Sequence, residues 1–323
     1  MREYKGRNLI ALPASYVAID IETTGLDYEF CHIIEFSAIR YCNGIQIDKY
    51  VSLVKPPLST TLSYDGTWES YYVDEYITEL TGITNDMLKA APDPTEVYPQ
   101  LKEFLGESIL VAHNANFDIN FLYDAFGEYA NTFLSNDFID TMRISRKVFP
   151  ELKHHRLCDV AKMCHVEQPA SHRAEADCIV AAQCFEKMRS LILADKTEDE
   201  FRQLFAKKAI NYYAELTGIV ATVDSFDDSN PIFEKVIVFT GALSSMSRKE
   251  AFQLVANLGA VPDETITKKT NYLVIGDSDF AKSVKDGKTT KMKKAESLRQ
   301  KGYEISIISE KAFWELIADY INY

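Results

Sequence analysis

The 323-residue chain has six cysteines but no C-x-x-C pair. Cys31, Cys42, Cys158, Cys164, Cys178 and Cys184 also show no paired Cys/His spacing, which argues against a zinc site and for scattered reduced thiols. No apolar run approaches the roughly 20 residues of a membrane span. The opening Met1-Arg2-Glu3-Tyr4-Lys5 leads into no apolar stretch with a small-residue cleavage site. The expectation is a cytoplasmic chain with no membrane partner. Positive charge is scarce as well: 35 Lys and Arg against 48 Asp and Glu leave a net charge of −13, which speaks against nonspecific adhesion to nucleic acid over the whole surface. The deficit is uneven, because residues 235–323 hold 14 Lys and Arg against 11 Asp and Glu. An acidic front part can still take a nucleic-acid strand where bound cations reverse the local sign. The length exceeds one average domain, so two are expected.

What is present begins with Ala18-Ile19-Asp20-Ile21-Glu22-Thr23-Thr24-Gly25, an apolar strand carrying two carboxylates at an interval of two. Strand side chains alternate, so Asp20 and Glu22 share one face while Val17, Ile19 and Ile21 pack on the other. Two adjacent carboxylates repel, and hard divalent cations with oxygen ligands are the usual remedy. A strand end whose acids simply face solvent has the same pattern. Ile33 to Arg40 and Ile45 to Val51 read as further antiparallel strands joined at Asn43-Gly44. Residues 57–95 are less regular and rich in aromatics (Tyr64, Trp68, Tyr71, Tyr72, Tyr76), which either stack bases or pack the loop onto its own domain.

Glu96 to Leu105 reads as a short amphipathic helix ended by Gly106, and Ser108 to Ala112 as a buried strand. In His113-Asn114-Ala115-Asn116-Phe117-Asp118, Asn116 is placed to cap a helix whose first turn holds Asp118, with Phe117, Phe121 and Leu122 toward the core. Residues 139–166 read mostly as helix, with Leu157, Val160, Ala161 and Cys164 on one face. Ser171-His172-Arg173-Ala174-Glu175-Ala176-Asp177 then leads into a long helix whose Ile179, Val180, Cys184, Met188, Leu191 and Ile192 recur at helical spacing. Five helical residues turn about 140° past a full revolution, so His172 is placed before the helix, curling back over the site that Asp177 faces.

Taken together, D-x-E, the acid after His113-Asn114 and the H-x-x-x-x-D of His172 and Asp177 resemble the DEDDh family of 3′–5′ exonucleases, over about residues 12–192. Ile33-Ile34-Glu35 and Leu80-Thr81-Gly82-Ile83-Thr84 add to the resemblance, whereas Tyr64 to Glu75 is longer and more aromatic than the family pattern. The resemblance implies a ribonuclease H-like α/β domain with a mixed sheet. It implies that Asp20, Glu22, Asp118 and Asp177 hold two Mg²⁺, replaceable by Mn²⁺, about 3.5–4 Å apart, with neutral His172 taking a proton from the attacking water. Thr23, Thr24, Gly25, His113 and Asn114 would meet the terminal nucleotide, the glycine permitting close backbone approach. The substrate implied is the 3′ end of single-stranded DNA, with RNA open because the same five residues serve it equally well. An adaptor whose nuclease half mainly holds a strand end is the rival reading.

Residues 195–231 read as a linker, with a connecting helix opened by Thr197-Glu198-Asp199-Glu200 and an acidic tether from Asp224 to Pro231. That divides the chain into residues 1–194, the linker and residues 232–323. Beyond it, strand Val236 to Gly241, a Ser247-capped helix closed by Glu250 and ended by Gly259, strand Asn271 to Gly276, a lysine-rich helix from about Thr290, strand Ile305 to Ile308 and a last helix with Phe313, Trp314 and Ile317 make a small parallel-sheet α/β domain. Phe239-Thr240-Gly241, Ser247-Arg248, Lys268 to Val274 and Lys291 to Ala295 resemble a BRCT domain, with Gly259-Ala260 in place of the usual glycine pair. The resemblance implies a phosphate site at Thr240, Gly241, Arg248 and Lys291 that takes the 5′ phosphate of DNA, or else a protein-docking surface.

Overall fold

The computed structural model describes residues 2–28, 30–62, 68–169, 173–205, 208–209, 219–223, 225–276 and 289–321. The chain divides into two compact units, Met1–Arg202 and Gln203–Tyr323.

In the first unit the elements run β1 (Ser15–Thr23), β2 (Ile33–Cys42), β3 (Ile45–Leu53), β4 (Ser59–Leu62), β5 (Trp68–Tyr71), α1 (Glu75–Thr81), α2 (Asn85–Ala90), α3 (Pro94–Leu105), β6 (Leu110–Ala112), α4 (Asn116–Tyr129), β7 (Phe138–Asp140), α5 (Thr141–Val148), α6 (Leu157–Cys164), α7 (Ala174–Asp195) and α8 (Glu198–Gln203), the last crossing the boundary. The main sheet is ordered β3-β2-β1-β6-β7, antiparallel across its first three strands and parallel across the rest. This is the expected mixed, ribonuclease H-like sheet. Asn43 and Gly44 both take positive φ at the β2–β3 turn, as a two-residue hairpin requires.

Alternation along β1 assigns its two faces. Val17, Ile19 and Ile21 join a core with Val97 and Leu101 of α3 and Ile119, Leu122 and Phe126 of α4. On the opposite face α7 crosses β1, β2 and β6, and Tyr16 meets Phe185 edge-on at 5.0 Å. The acids of β1 therefore look toward α7.

Several elements differ from expectation. Residues 57–95 contain a β4–β5 hairpin and two short helices, α1 capped by Asp74 and α2 by Thr84. Residues 138–140 form strand β7 rather than helix, because they pair with β6. Asn116 is the first residue of α4, not its cap, and its Oδ1 accepts a hydrogen bond from Lys5 Nζ at 2.5 Å. Leu191 faces solvent on α7 while Phe185 and Ala182 bury instead.

The second unit adds β8 (Lys208–Ala209), β9 (Ser225–Phe226), β10 (Val236–Thr240), α9 (Arg248–Asn257), β11 (Val261–Asp263), β12 (Thr270–Ile275), α10 (Thr290–Gln300), β13 (Ser306–Ser309), α11 (Glu310–Leu316) and α12 (Ala318–Ile321). Its four-stranded sheet, β11-β10-β12-β13, is parallel throughout. Phe252 and Val255 of α9 and Phe313 of α11 cover Ile237, Phe239 and Val274 on one face. Met292 and Ala295 of α10 cover Val238, Leu273 and Ile275 on the other. The Ser247–Glu250 capping box is formed as read.

The tether expected from Asp224 to Pro231 is a correction: residues 225–231 are packed into this unit. β9 pairs with β8, Phe226 and Asn230 are buried, and Asn230 Nδ2 donates to the Leu258 carbonyl at 2.9 Å. The acid Asp227 serves a turn, its Oδ1 accepting the Ser229 N–H at 2.9 Å. At Gly259 (φ +78°) a Cβ would lie 2.6 Å from the Phe233 ring, so the first residue of Gly259-Ala260 has no room for a side chain.

Candidate active site

Asp20 and Glu22 project from β1, and Asp177 from the first turn of α7, so that one carboxylate oxygen of each lies within 4.8 Å of the others. Gln168 Nε2 donates to Asp177 Oδ1 at 3.2 Å. Asp118 enters from the first turn of α4, buried, with Oδ1 accepting the Ile21 N–H at 3.1 Å. Burial pushes the Asp20 carboxyl well above its ordinary range, and the charges of Asp118, Glu22, Asp177 and Glu35 add to that. Glu22 is pushed up to about 7, first by burial and then by Asp177 and Glu35, with Arg173 opposing. Asp118 is raised by burial, partly offset by the N–H groups it accepts from.

Four carboxylates therefore converge with one guanidinium as the cation acting on Glu22. Oxygen-only donors under mutual repulsion fit hard divalent cations, which relieve the repulsion and the burial penalty together. The fourth acid of the expected set, Asp118, lies beside the three-carboxylate cluster rather than within its 4.8 Å limit. His172 lies outside the described residues.

The loop after β1 is held by its own threonines. Thr23 Oγ1 donates to the Gly25 carbonyl at 2.5 Å, and Thr24 exchanges bonds with His32, its N–H donating to the His32 carbonyl and its Oγ1 accepting the His32 N–H, both at 2.9 Å. A Cβ on Gly25 would sit 2.7 Å from Cys31 Sγ, so a side chain there would have to displace the Cys31 thiol.

His113 departs from the expected substrate contact. Its Nε2–H donates to the His155 carbonyl at 2.8 Å, which fixes the tautomer, and Nδ1 accepts the Thr141 hydroxyl at 2.9 Å. Burial lowers its pKa and keeps the ring neutral. No ring nitrogen remains for a ligand. Asn114 sits at φ +63°, its N–H bound to Asp140 Oδ1 at 3.0 Å, and its side-chain amide has no hydrogen-bond partner among the described residues. Asp140 also caps α5 through the Met142 N–H at 2.9 Å. Its role is missed when residues 139–166 are read as helix, although Asp140-Thr141-Met142 carries a cap signal.

In the second unit, β10 ends at buried Thr240, followed by Gly241 at φ +79°. Arg248 Nη2 donates to the Gly241 carbonyl at 2.8 Å and Lys291 Nζ to the Phe239 carbonyl at 3.1 Å, so all four expected residues meet at one strand end. Burial lowers the Lys291 pKa, and the Arg248 charge adds to it. The adjoining loop is fixed by Glu310, whose carboxylate accepts the N–H groups of Ser244 and Ser245 at 2.6 and 3.0 Å and Trp314 Nε1–H at 3.2 Å. Among the described residues no helix is long and apolar enough to cross a membrane.

Residues 17–185 match the exonuclease family, and residues 228–317 match the BRCA1 C Terminus (BRCT) domain. The chain is 32% identical over 284 residues to the PolC-type DNA polymerase III of Bacillus subtilis (strain 168), covering 84% of this chain but 18% of that polymerase. It is 35% identical over 177 residues to the DNA polymerase III subunit epsilon of Aquifex aeolicus (strain VF5), covering 55% of this chain and 81% of that subunit. Among solved structures, E. coli Exonuclease I in complex with a dT13 oligonucleotide aligns with a TM-score of 0.45 at 19% identity, over 57% of this chain and 43% of that one.

Proposed function

Since the chain belongs to the exonuclease family and carries a BRCT domain after it, we propose that it is a 3′–5′ exonuclease that removes 5′-mononucleotides from single-stranded DNA in replication or repair. The observation that carries this is the convergence of Asp20, Glu22 and Asp177, with Asp118 alongside, under charge repulsion that bound divalent cations would relieve. Asp20, Glu22, Asp118 and Asp177 would hold two Mg²⁺ or Mn²⁺. Bound there, such ions supply Lewis-acid polarisation of the terminal phosphodiester and countercharge for the leaving oxygen.

The chain's own residues do the rest. Neutral His172 takes a proton from the attacking water, its oxygen adds to phosphorus, and the bond from phosphorus to the 3′ oxygen of the penultimate nucleotide breaks. That oxygen takes a proton from solvent, leaving a 3′-hydroxyl on the shortened strand and a released 5′-mononucleotide. The braced Thr23-Thr24-Gly25 loop presents main-chain groups to the terminal nucleotide, and the unengaged Asn114 amide supplies a donor and acceptor at the far side. His113 and Asp140 hold Asn114 in place. Similarity to DNA polymerase III chains supports DNA, rather than RNA, as the substrate. Residues 1–194 act as the nuclease, and the BRCT unit binds a DNA 5′ phosphate through Thr240, Gly241, Arg248 and Lys291, both in the cytoplasm.

Incubation of matched single-stranded DNA and RNA with Mn²⁺, and again with EDTA, tests the proposal. DNA should shorten in Mn²⁺ and stay whole in EDTA. Intact DNA and RNA in Mn²⁺ would refute the enzyme reading, and degradation of RNA alone would reassign the substrate.

A further inference from the structure

Glu35 is 2% exposed on β2 and stands directly opposite Glu22 in the β1–β2 register. A carboxylate buried beside another needs a cation and hydrogen-bond donors. Both come from the start of α7. Arg173 Nε lies 3.1 and 3.0 Å from the two Glu35 oxygens and Nη2 lies 2.5 Å from Oε1, a fork engaging both. Glu35 Oε2 also accepts the Ala174 N–H at 3.0 Å. The N-cap residue of α7, Arg173, makes no side-chain cap bond of its own, so Glu35 serves as that cap from a neighbouring strand. The Arg173 carbonyl in turn accepts the Asp177 N–H at 3.0 Å. One continuous set of bonds thus runs from the strand beside Glu22 to the turn that carries Asp177.

We infer that Glu35 and Arg173 are positioning residues that set the separation between Glu22 on β1 and Asp177 on α7, and with it the geometry in which this site takes divalent cations. The inference rests on the proposed nuclease reading. The pair ties together the two elements that supply facing carboxylates, and among the described residues its guanidinium is the cation that counteracts the charge around Glu22. Lysine in place of Arg173 keeps the charge but not the two-pronged fit to Glu35.

The test uses the full chain as Arg173→Lys, and as the double variant Glu35→Gln with Arg173→Gln, which leaves no buried charge unpaired. Two readouts are taken: the shift in unfolding temperature on titrating Mn²⁺ alone, and single-turnover cleavage of a labelled oligonucleotide. Residues that orient ligands from behind typically contribute about 10- to 100-fold to metal affinity or rate, so both variants should need about tenfold more Mn²⁺ for the half-maximal shift and cleave about tenfold more slowly or worse. A merely structural pair would lower the starting unfolding temperature and leave the Mn²⁺ requirement of the folded protein unmoved. A Mn²⁺ requirement within about twofold of wild type in either variant overturns the inference. If wild-type protein binds Mn²⁺ but leaves the oligonucleotide intact, the nuclease reading fails while the Mn²⁺ titration still judges the pair. Absence of a Mn²⁺ shift in wild type overturns both.

Discussion

Asp118 and Ile21 are joined by a 3.1 Å hydrogen bond from the Ile21 N–H to Asp118 Oδ1, so the acid that opens α4 is fastened to the main chain between Asp20 and Glu22. Charge and hydrogen bond can be separated by mutation. Asp118→Asn keeps an oxygen for Ile21 and deletes one of the clustered charges. Without metal it should unfold at a higher temperature than wild type at neutral pH and above, because the substitution removes a charge that burial and its neighbours oppose. It should also lose the Mn²⁺ response and most of the activity. A lower unfolding temperature for metal-free Asp118→Asn would mean that the carboxylates are not in conflict.

The same conflict predicts a pH dependence. Glu22 rises from 4.5 to about 7 in the folded chain, and Asp20 and Asp118 rise as well. A carboxyl raised on folding binds more protons when folded, so its contribution is present below the unfolded value and is lost as pH climbs through the folded one. In EDTA the unfolding temperature should fall as pH rises from about 5 to about 8, and Mn²⁺ should remove that fall. A flat profile in EDTA would contradict the raised carboxyls.

His113 gives a slope of the opposite sign. Its folded pKa is lowered from 6.5, so it stabilises above 6.5 and that stability is lost as pH falls toward the folded value. His113→Phe should remove this acid-side loss. It should also destabilise the chain by about 1–3 kcal/mol, since the Thr141 hydroxyl and His155 carbonyl lose their partner. Unchanged stability on substitution would show that the imidazole is not held as a neutral, doubly bonded ring.

The distance between sequence and structure is instructive at these residues. The placing of Asp20 and Glu22 on one strand face and of Asp118 and Asp177 in helix first turns was legible because alternation and helix starts are local properties, whereas their grouping into one site came from the family resemblance alone. The Asn43-Gly44 turn and the Ser247–Glu250 box were legible for the same reason. His113 was not: its partners Thr141 and His155 lie 28 and 42 residues away, and nothing local reveals them. β7 is three residues long, too short to show a period of two beside helical neighbours. Asp224 to Pro231 looks like a polar tether, yet it carries Phe226, whose burial beside Gly259 only the tertiary fold discloses.

The second unit yields its own prediction. Arg248 and Lys291 converge on the end of β10, where one anion would compensate both. Full-length protein should bind a recessed duplex bearing a 5′ phosphate more tightly than the same duplex without it, at fixed salt. Arg248→Glu with Lys291→Glu should abolish the difference. Equal binding of the two duplexes by wild type would leave this unit a protein-docking domain.

His172→Ala should lower the single-turnover rate by about a hundredfold or more, as removal of a general base does, while the Mn²⁺-induced rise in unfolding temperature persists. Undiminished activity across pH 6 to 9 would take His172 out of the mechanism.

The central claim is tested most directly with one single-stranded oligonucleotide labelled in separate preparations at its 3′ and its 5′ end and digested with Mn²⁺. The account predicts that 3′ label appears at once as a labelled 5′-mononucleotide, while 5′ label passes through a descending ladder. Immediate release of mononucleotide from the 5′ label, or internal fragments from both, would contradict it.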